Sequence, residues 1–252
     1  MKKQNNIALV VNTISKNKDV WNIFFDKIKE HISDAFFENK YVFVDDDMGA
    51  LPDDYTVVKY DTNVKYKQQF ESCIPEVTEK YCIYISEDYI LYDNIDEQKI
   101  INFIDILEEN NSLSFVRFMR GGVYDGPFEK YSDNLYYVPD DKDYFYTNQA
   151  ALWRTKNLEM VHKRGPNLHI ANTDWQNSFE YQATKTCQEL GYKGLFCYYG
   201  EEKRGMYHYD SSVFPHVSTA LVKGKWNMSV YPQEMSKIIN KYELDIRERG
   251  WV

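Results

Sequence analysis

The chain has 252 residues, a formal net charge of −9 and 43% hydrophobic residues. A chain of this size and composition can bury a large core, so it is neither a disordered segment nor a domain that depends on disulfide or metal cross-links. The negative charge argues against a nucleic-acid-binding protein, which would carry a basic surface. It leaves a nucleotide substrate open, because divalent cations can bridge carboxylates and phosphates.

The sequence shows no evident targeting or membrane segment. The apolar run 7–11 is too short for the apolar region of a signal peptide and ends at Asn12, so we interpret it as a first strand. No run approaches the roughly 18 apolar residues that span a membrane. None of the four cysteines belongs to a CxxC pair, as expected for free thiols in a reducing compartment. We therefore predict a cytoplasmic protein without a transmembrane segment.

Strand and helix patterns alternate in the first half of the chain. Apolar runs predict strands over 7–11, 41–44, 56–60, 81–85 and 113–118. Helical periodicity predicts helices over 20–36, 64–80 and 97–109, the second disturbed by Pro75. This order predicts an α/β fold, a three-layer α/β/α sandwich with a mostly parallel, Rossmann-like central sheet.

The pattern becomes less regular after Arg120. Residues 120–150 are rich in Tyr, Asp and Gly, with a short strand predicted over 135–138. Further helices are predicted over 155–163, 173–190 and 232–242, and a late strand over 195–199. No linker or repeat is evident, so we predict one domain over 1–252 with a regular half, 1–119, and an irregular half, 120–252.

Polar residues follow three of the predicted strands. In open α/β sheets, ligands bind outside the carboxyl ends of the strands. The polar residues at these ends include Asn12, Thr13, Asp45, Asp46, Glu87 and Asp88. Because parallel strands bring their carboxyl ends to one edge of the sheet, these residues predict a ligand site there.

Glu87 and Asp88 are the most informative of these residues. Carboxylates at the end of a buried strand are costly unless they are paired or bind a metal. Oxygen ligands suit Mg²⁺ or Mn²⁺, which usually shares one or two carboxylates with substrate phosphates. The alternatives are a solvated turn, or a helix N-terminus where the helix dipole favours acidic residues.

The segment around these carboxylates resembles a known family. Residues 81–91 read Tyr-Cys-Ile-Tyr-Ile-Ser-Glu-Asp-Tyr-Ile-Leu. This is similar to the strand that carries the acidic, DXD-like motif of GT-A glycosyltransferases, in the Glu-Asp-Tyr form of one bacterial and viral branch. Residues 148–154, NQAALWR, resemble the Gln-Pro-Ala-Leu/Ile-Trp-Arg segment of that branch, with Ala150 in place of proline.

Two later segments extend the resemblance to about residues 5–230. Residues 177–180, NSFE, resemble a Trp-Glu-Phe-Glu motif of which Phe179 and Glu180 remain. Residues 221–226, LVKGKW, are similar to a late Gly-Lys-Trp segment. The departures at 150, 177 and 178 bear mainly on the identity of the acceptor.

The resemblance implies a GT-A glycosyltransferase that moves a sugar from a nucleotide sugar to a hydroxyl of a glycan acceptor, in the synthesis of a surface or capsular-type polysaccharide. Residues 1–119 would bind the nucleotide and 120–252 the acceptor. Asn12, Thr13 and Asp45 would contact the base and ribose. Asp88 and Glu87 would face the diphosphate, directly through Mn²⁺ or Mg²⁺ or through its water shell.

The remaining roles follow the same resemblance. Glu180 is the expected general base of an inverting transfer, since one carboxylate must reach the acceptor hydroxyl. Asp174 is the second candidate for the base, or a helix cap. A late histidine can act as a further metal ligand in this fold, for which His216 and His208 are the candidates, with a structural histidine as the favoured alternative.

Four side chains are candidates for substrate contacts. The two aromatic ones, Trp153 and Trp175, are expected as platforms for a sugar ring, with core packing as the alternative. Arg154 would neutralise phosphate or remain a surface charge. Gln149 lies in the same segment and is expected to contact substrate.

Two other functions remain open at this point. A sugar-phosphate nucleotidyltransferase would carry a glycine-rich basic loop after the first strand, and residues 12–18 contain no glycine. A non-catalytic glycan-binding protein on a degenerate GT-A fold would explain the altered motif at 177–178.

Overall fold

The computed structural model describes residues 6–121, 126–166, 175–207 and 209–252, and only the backbone of Trp175. The strands are β1 Ile7–Asn12, β2 Asn39–Val44, β3 Thr56–Lys59, β4 Tyr81–Ser86, β5 Ile90–Leu91, β6 Leu113–Arg117, β7 Lys130–Ser132, β8 Leu135–Tyr137, β9 Ala151–Arg154, β10 Lys193–Cys197, β11 His216–Val217, β12 Leu221–Val222 and β13 Lys225–Trp226. The α-helices are α1 Lys18–His31, α2 Tyr66–Cys73, α3 Glu97–Glu109, α4 Thr155–Arg164, α5 Phe179–Glu189 and α6 Pro232–Lys241. Short 3-10 helices cover Ser15–Asn17, Ile74–Glu76 and Trp175–Asn177.

A nine-stranded sheet forms the centre of the fold, in the order β3-β2-β1-β4-β9-β6-β10-β8-β7. Strands β8 and β9 run antiparallel to their neighbours, and the other strands share one direction. This confirms the predicted α/β class with a mostly parallel, Rossmann-like sheet. Both predicted halves of the chain contribute strands to it.

Helices cover both faces of the sheet, as the alternation of buried residues in β1 shows. Ile7, Leu9 and Val11 pack into a core with α1 and α3. Ala8 and Val10 point to the other face and pack with α2, α4 and α5. Since successive strand residues point to opposite faces, a strand that is apolar throughout must lie between two layers.

Strand β9 was not predicted as a strand. It inserts between β4 and β6 and is antiparallel to both. Leu152 is buried on the α1/α3 face and Trp153 on the opposite face. Such a short central strand has no polar face, so its sequence lacks the alternation by which a half-exposed strand is recognised.

Several helix ends differ from the prediction for identifiable reasons. Helix α2 ends at Cys73 because Pro75 lacks a backbone N–H, and the chain continues as a 3-10 turn. Helix α5 begins at Phe179, where the Ser178 side chain accepts a hydrogen bond from the Tyr181 N–H. Gly191 follows this helix with φ 66°, a left-handed conformation that is typical of glycine after the end of a helix.

A third apolar cluster lies on the outer side of α1 and joins α6 to β5 and β11–β13. The β12–β13 hairpin turns through Lys223 and Gly224, with φ of 52° and 78°. Two consecutive positive φ angles are typical of the turns that join short hairpins, and glycine adopts them at little cost. The tail returns to this hairpin, where Val252 N–H donates to the Trp226 carbonyl at 2.9 Å.

The four cysteines are buried and free. Within the described ranges, no helix has both the length and the apolar character that crossing a bilayer requires.

Candidate functional site

A cavity of about 740 Å³ opens at the carboxyl ends of β1 and β4, within the roughly 300–1,000 Å³ typical of small-molecule sites. The sequence-predicted residues that line it are Asn12, Thr13, Glu87, Asp88, Gln149 and Glu180. The rule that ligands bind outside the carboxyl ends of the strands therefore identified one wall of the cavity. The N-terminal turn of α5 and the segment before β9 supply the other.

Thr13 is held rigidly at the end of β1. Its hydroxyl accepts a hydrogen bond from the Trp21 indole N–H at 2.7 Å, and its carbonyl accepts one from the Tyr60 hydroxyl at 2.6 Å. Its own N–H donates to the Phe43 carbonyl at 2.9 Å. Three elements thus fix the backbone and side chain of this residue at the cavity wall.

Glu87 and Asp88 lie at the end of β4. Glu87 is only 5% exposed and accepts a hydrogen bond from the Asn17 side-chain amide. Burial raises the pKa of Glu87. Burial, and next the adjacent Glu87 charge, raise the pKa of Asp88 well above its usual range. Two neighbouring carboxylates whose pKa values are raised in this way would be stabilised by a bound cation.

No lysine or arginine is found among the described residues that line this cavity. Nor do the described ranges contain a group of three or more His, Cys, Asp or Glu side chains placed to hold a metal ion. The adjacent carboxylates of Glu87 and Asp88 are hard oxygen donors, and a pair of this kind leaves further positions on a cation for ligand oxygens.

Glu180 faces the cavity from the first turn of α5. Its Oε1 accepts a hydrogen bond from the Asn148 backbone N–H at 2.9 Å, and Asn148 is in turn held by the Tyr89 hydroxyl, which donates to its carbonyl at 2.7 Å. Burial raises the pKa of Glu180, although the Asn148 hydrogen bond and the charge of Arg117 act in the opposite direction. A carboxylate with a raised pKa is suited to accept a proton near neutral pH.

Tyrosine side chains complete the cavity wall, and sequence analysis did not single them out. Tyr60, Tyr66 and Tyr89 lie near the strand ends, and Tyr144 and Tyr207 lie beside Gln149. The last two belong to irregular segments that have no periodicity to place them. The tyrosine-rich composition of residues 120–150 was the only signal for Tyr144.

The structure does not bring Asp45 and Asp46 into the cavity. Asp45 accepts hydrogen bonds from the Ser15 N–H at 2.6 Å and the Ser15 hydroxyl at 2.7 Å. Asp46 lies 3.5 Å from the Lys59 ammonium at the surface. The carboxylate of Asp45 therefore orders the 3-10 turn that leads into α1. The sequence had suggested that Asp45 contacts a ribose.

Trp153 and Arg154 are also displaced from their predicted roles. Trp153 is 3% exposed and packs against Phe115, with ring centroids 4.4 Å apart. The Arg154 guanidinium donates to the Leu113 carbonyl at 2.9 Å and to the Leu107 carbonyl near the end of α3. Both side chains stabilise the junction of β9 with its neighbours, and neither lines the cavity.

His216 lies on β11, where it is buried and its Nδ1–H donates to the Phe214 carbonyl at 2.6 Å. Its ring packs against Tyr89, with centroids 5.3 Å apart, and it does not line the cavity. His216 therefore lies behind Tyr89, which lines the cavity. The sequence had suggested His216 as a metal ligand. Asp174, His208 and the Trp175 side chain lie outside the described residues.

Comparisons with known proteins add little about function. A scan against protein-family models found no match, and a search of curated proteins found none. Similar solved structures include the bifunctional IspDF from Campylobacter jejuni, at 9% identity and a TM-score of 0.43. They also include the mannosyltransferase PcManGT from Pyrobaculum calidifontis in complex with GDP-Man and Mn²⁺, at 14% identity and a TM-score of 0.47.

The alignments cover 82% and 80% of this chain, respectively, and 52% and 58% of those two chains. This chain thus spans little more than half the length of either protein. These similarities are too low to indicate a function.

Proposed function

We propose that this chain is a GT-A-type glycosyltransferase that transfers a sugar from a nucleotide sugar to a glycan hydroxyl with inversion. The observation that carries the proposal is the arrangement of carboxylates in one cavity. Glu87 and Asp88 lie at the carboxyl end of a parallel strand, and Glu180 lines the same cavity and accepts a hydrogen bond from the Asn148 N–H.

The strand-end side of the cavity suits the nucleoside diphosphate of the donor. Asn12 and Thr13 offer polar groups for the nucleoside at the position where α/β sheets bind ligands. A diphosphate next to Glu87 and Asp88 would be repelled, and no described lysine or arginine lines the cavity to offset this. A divalent cation held by these two carboxylates would screen the phosphates and stabilise the leaving nucleoside diphosphate.

Glu180 is the proposed general base. Asn148 fixes its Oε1, and Oε2 receives no hydrogen bond from the described part of the chain. Glu180 would accept the proton of the acceptor hydroxyl as the oxygen forms a bond to the anomeric carbon of the donor sugar. The bond from that carbon to the diphosphate breaks, and the nucleoside diphosphate leaves with the electron pair.

A purely glycan-binding role explains these carboxylates less well. Burial raises the pKa values of Glu87, Asp88 and Glu180, so ionising these groups in the folded protein costs free energy. Clusters of such groups in a cavity are typical of catalytic sites. Binding a neutral glycan would not require the adjacent carboxylates of Glu87 and Asp88.

The test measures donor hydrolysis and sugar transfer over a panel of nucleotide sugars with Mn²⁺ or Mg²⁺. We expect one donor to react, and Glu180→Gln to lower kcat by about 10²–10⁴-fold. Glu189→Gln changes an exposed glutamate on the same helix and is the matched control. Asp88→Asn should weaken donor binding, with Asp93→Asn at an exposed position as its control. No turnover by the wild type on any donor, or full turnover by Glu180→Gln, would contradict the proposal.

A further inference from the structure

Two tyrosines form one end of the cavity. The rings of Tyr144 and Tyr207 lie with their centroids 5.7 Å apart and their planes inclined at 40°. Both residues line the cavity, and Tyr207 leaves 39% of its surface exposed, which is unusual for a large aromatic residue. Burial raises the pKa of Tyr144 to about 12, so its oxygen remains a neutral hydroxyl at physiological pH.

The fold holds these tyrosines in place. The buried Arg117 guanidinium donates to the Tyr144 carbonyl at 3.1 Å and to the Phe145 carbonyl at 3.0 Å. Tyr144 has φ 63°, which is uncommon for a bulky residue and is maintained here by these contacts. The Gln149 side-chain amide donates to the Tyr207 carbonyl at 3.2 Å. An aromatic surface fixed in this way is preorganised for a ligand.

Neutral polar groups lie beside the two rings. Thr147 Oγ1 and Gln149 Oε1 are buried at the cavity and have no hydrogen-bond partner in the described part of the chain. Buried polar atoms normally have partners, so a ligand with hydroxyl donors would satisfy both. The carboxylate of Glu180 lines the same cavity.

We propose that the Tyr144–Tyr207 end of the cavity binds an uncharged sugar ring of the acceptor. The apolar C–H face of the sugar would pack on the tyrosine rings, while its hydroxyls would contact Thr147, Gln149 and Glu180. This inference rests on the proposed function. An acidic sugar is disfavoured, because its carboxylate would lie near Glu180 without a described lysine or arginine in the cavity wall.

The test is saturation-transfer NMR with methyl glycosides of glucose, galactose, mannose and N-acetylglucosamine, compared with methyl glucuronide. Wild type and Tyr207→Ala are measured in the presence of a nucleoside diphosphate and Mg²⁺. Tyr199→Ala is the matched control, since Tyr199 is 37% exposed and does not line the cavity. Tyr144→Phe provides a milder change that removes one hydroxyl and keeps the ring.

We expect at least one neutral glycoside to bind the wild type and Tyr199→Ala, and to bind Tyr207→Ala about tenfold more weakly. Preferred binding of the glucuronide, no binding of any neutral glycoside, or unchanged binding by Tyr207→Ala would overturn the inference. Donor hydrolysis without acceptor reports separately on the proposed function. Wild type that hydrolyses a donor but binds no neutral glycoside overturns only the acceptor assignment.

Discussion

The guanidinium of Arg249 forms a two-point ion pair with the carboxylate of Asp19, 230 positions earlier in the chain. The same guanidinium donates to Asn17 Oδ1 at 3.2 Å and to the Gly224 carbonyl at 3.1 Å, and both of these residues line the cavity. Asn17 in turn donates from its amide nitrogen to Glu87. Arg249 therefore orients the Asn17 amide so that its N–H faces the carboxylate at the end of β4.

Arg249→Lys should weaken this arrangement, because an ammonium cannot reproduce the planar contacts of the guanidinium. We expect a loss of about 1–2 kcal/mol in the free energy of unfolding, and a higher donor KM with a smaller change in kcat. Thermal unfolding and steady-state kinetics measure both effects. Arg247→Lys is the control, since Arg247 pairs with Asp245 at the exposed surface. Equal effects of the two substitutions would contradict a positioning role.

The raised pKa of Glu180 predicts opposite pH trends for activity and stability. A carboxyl whose pKa is higher in the folded protein than its ordinary value of 4.5 holds its proton more tightly when folded. Its contribution to stability is therefore lost as pH rises from about 4.5 through the folded pKa. Activity should rise over the same window, because the base must be ionised.

Glu180→Gln removes this titration. The melting temperature of the variant, relative to wild type, should therefore increase as pH rises above about 4.5. Glu189→Gln should show no such trend. A difference between Glu180→Gln and wild type that stays constant with pH would indicate that the carboxyl has an ordinary pKa.

Gly121 allows Gln149 to pack closely, since a Cβ at this position would lie 2.0 Å from Gln149 Oε1. Gly121→Ala should displace Gln149, release its contact with Tyr207 and raise the acceptor KM more than the donor KM. In a Gln149→Ala background the same substitution should have little further effect. The coupling between the two changes, about 0.5–3 kcal/mol in unfolding experiments, measures the clash. Additive effects would argue against it.

Trp153→Phe should affect stability and leave catalysis intact. Trp153 is buried against Phe115 and Tyr146, so the smaller ring leaves a cavity that costs about 1–3 kcal/mol. We expect a lower melting temperature and an unchanged kcat at temperatures where the variant is folded. A large loss of kcat in the folded variant would restore a functional role for this tryptophan.

Sequence reasoning succeeded where a general rule of the fold applied. Asn12, Thr13, Glu87 and Asp88 follow apolar runs that become parallel strands, and parallel strands present their carboxyl ends at one edge. The same rule named Asp45, which the structure uses to bind Ser15. The position of a residue at the end of a strand therefore indicates the edge of the sheet where the cavity lies. It does not show which side chains line that cavity.

The remaining features depend on contacts between distant segments. Strand β9 buries Trp153 because it lies between β4 and β6, a placement that no local pattern encodes. Tyr144 and Tyr207 meet although 63 positions separate them, and each lies in an irregular segment. Glu180 was suggested by resemblance, and its proximity to Asn148 became visible only in the fold.

The measurement that most directly tests the nucleotide-donor site is thermal unfolding with a panel of nucleoside diphosphates, with and without Mn²⁺ or Mg²⁺. A ligand at about 100 times its Kd adds roughly 2.7 kcal/mol, a shift of several degrees for a chain of this size. We predict stabilisation by the nucleotides of one base, dependent on the cation and lost in Asp88→Asn but kept in Asp93→Asn. If no nucleotide raises the melting temperature under either condition, the donor site proposed at the ends of β1 and β4 is contradicted.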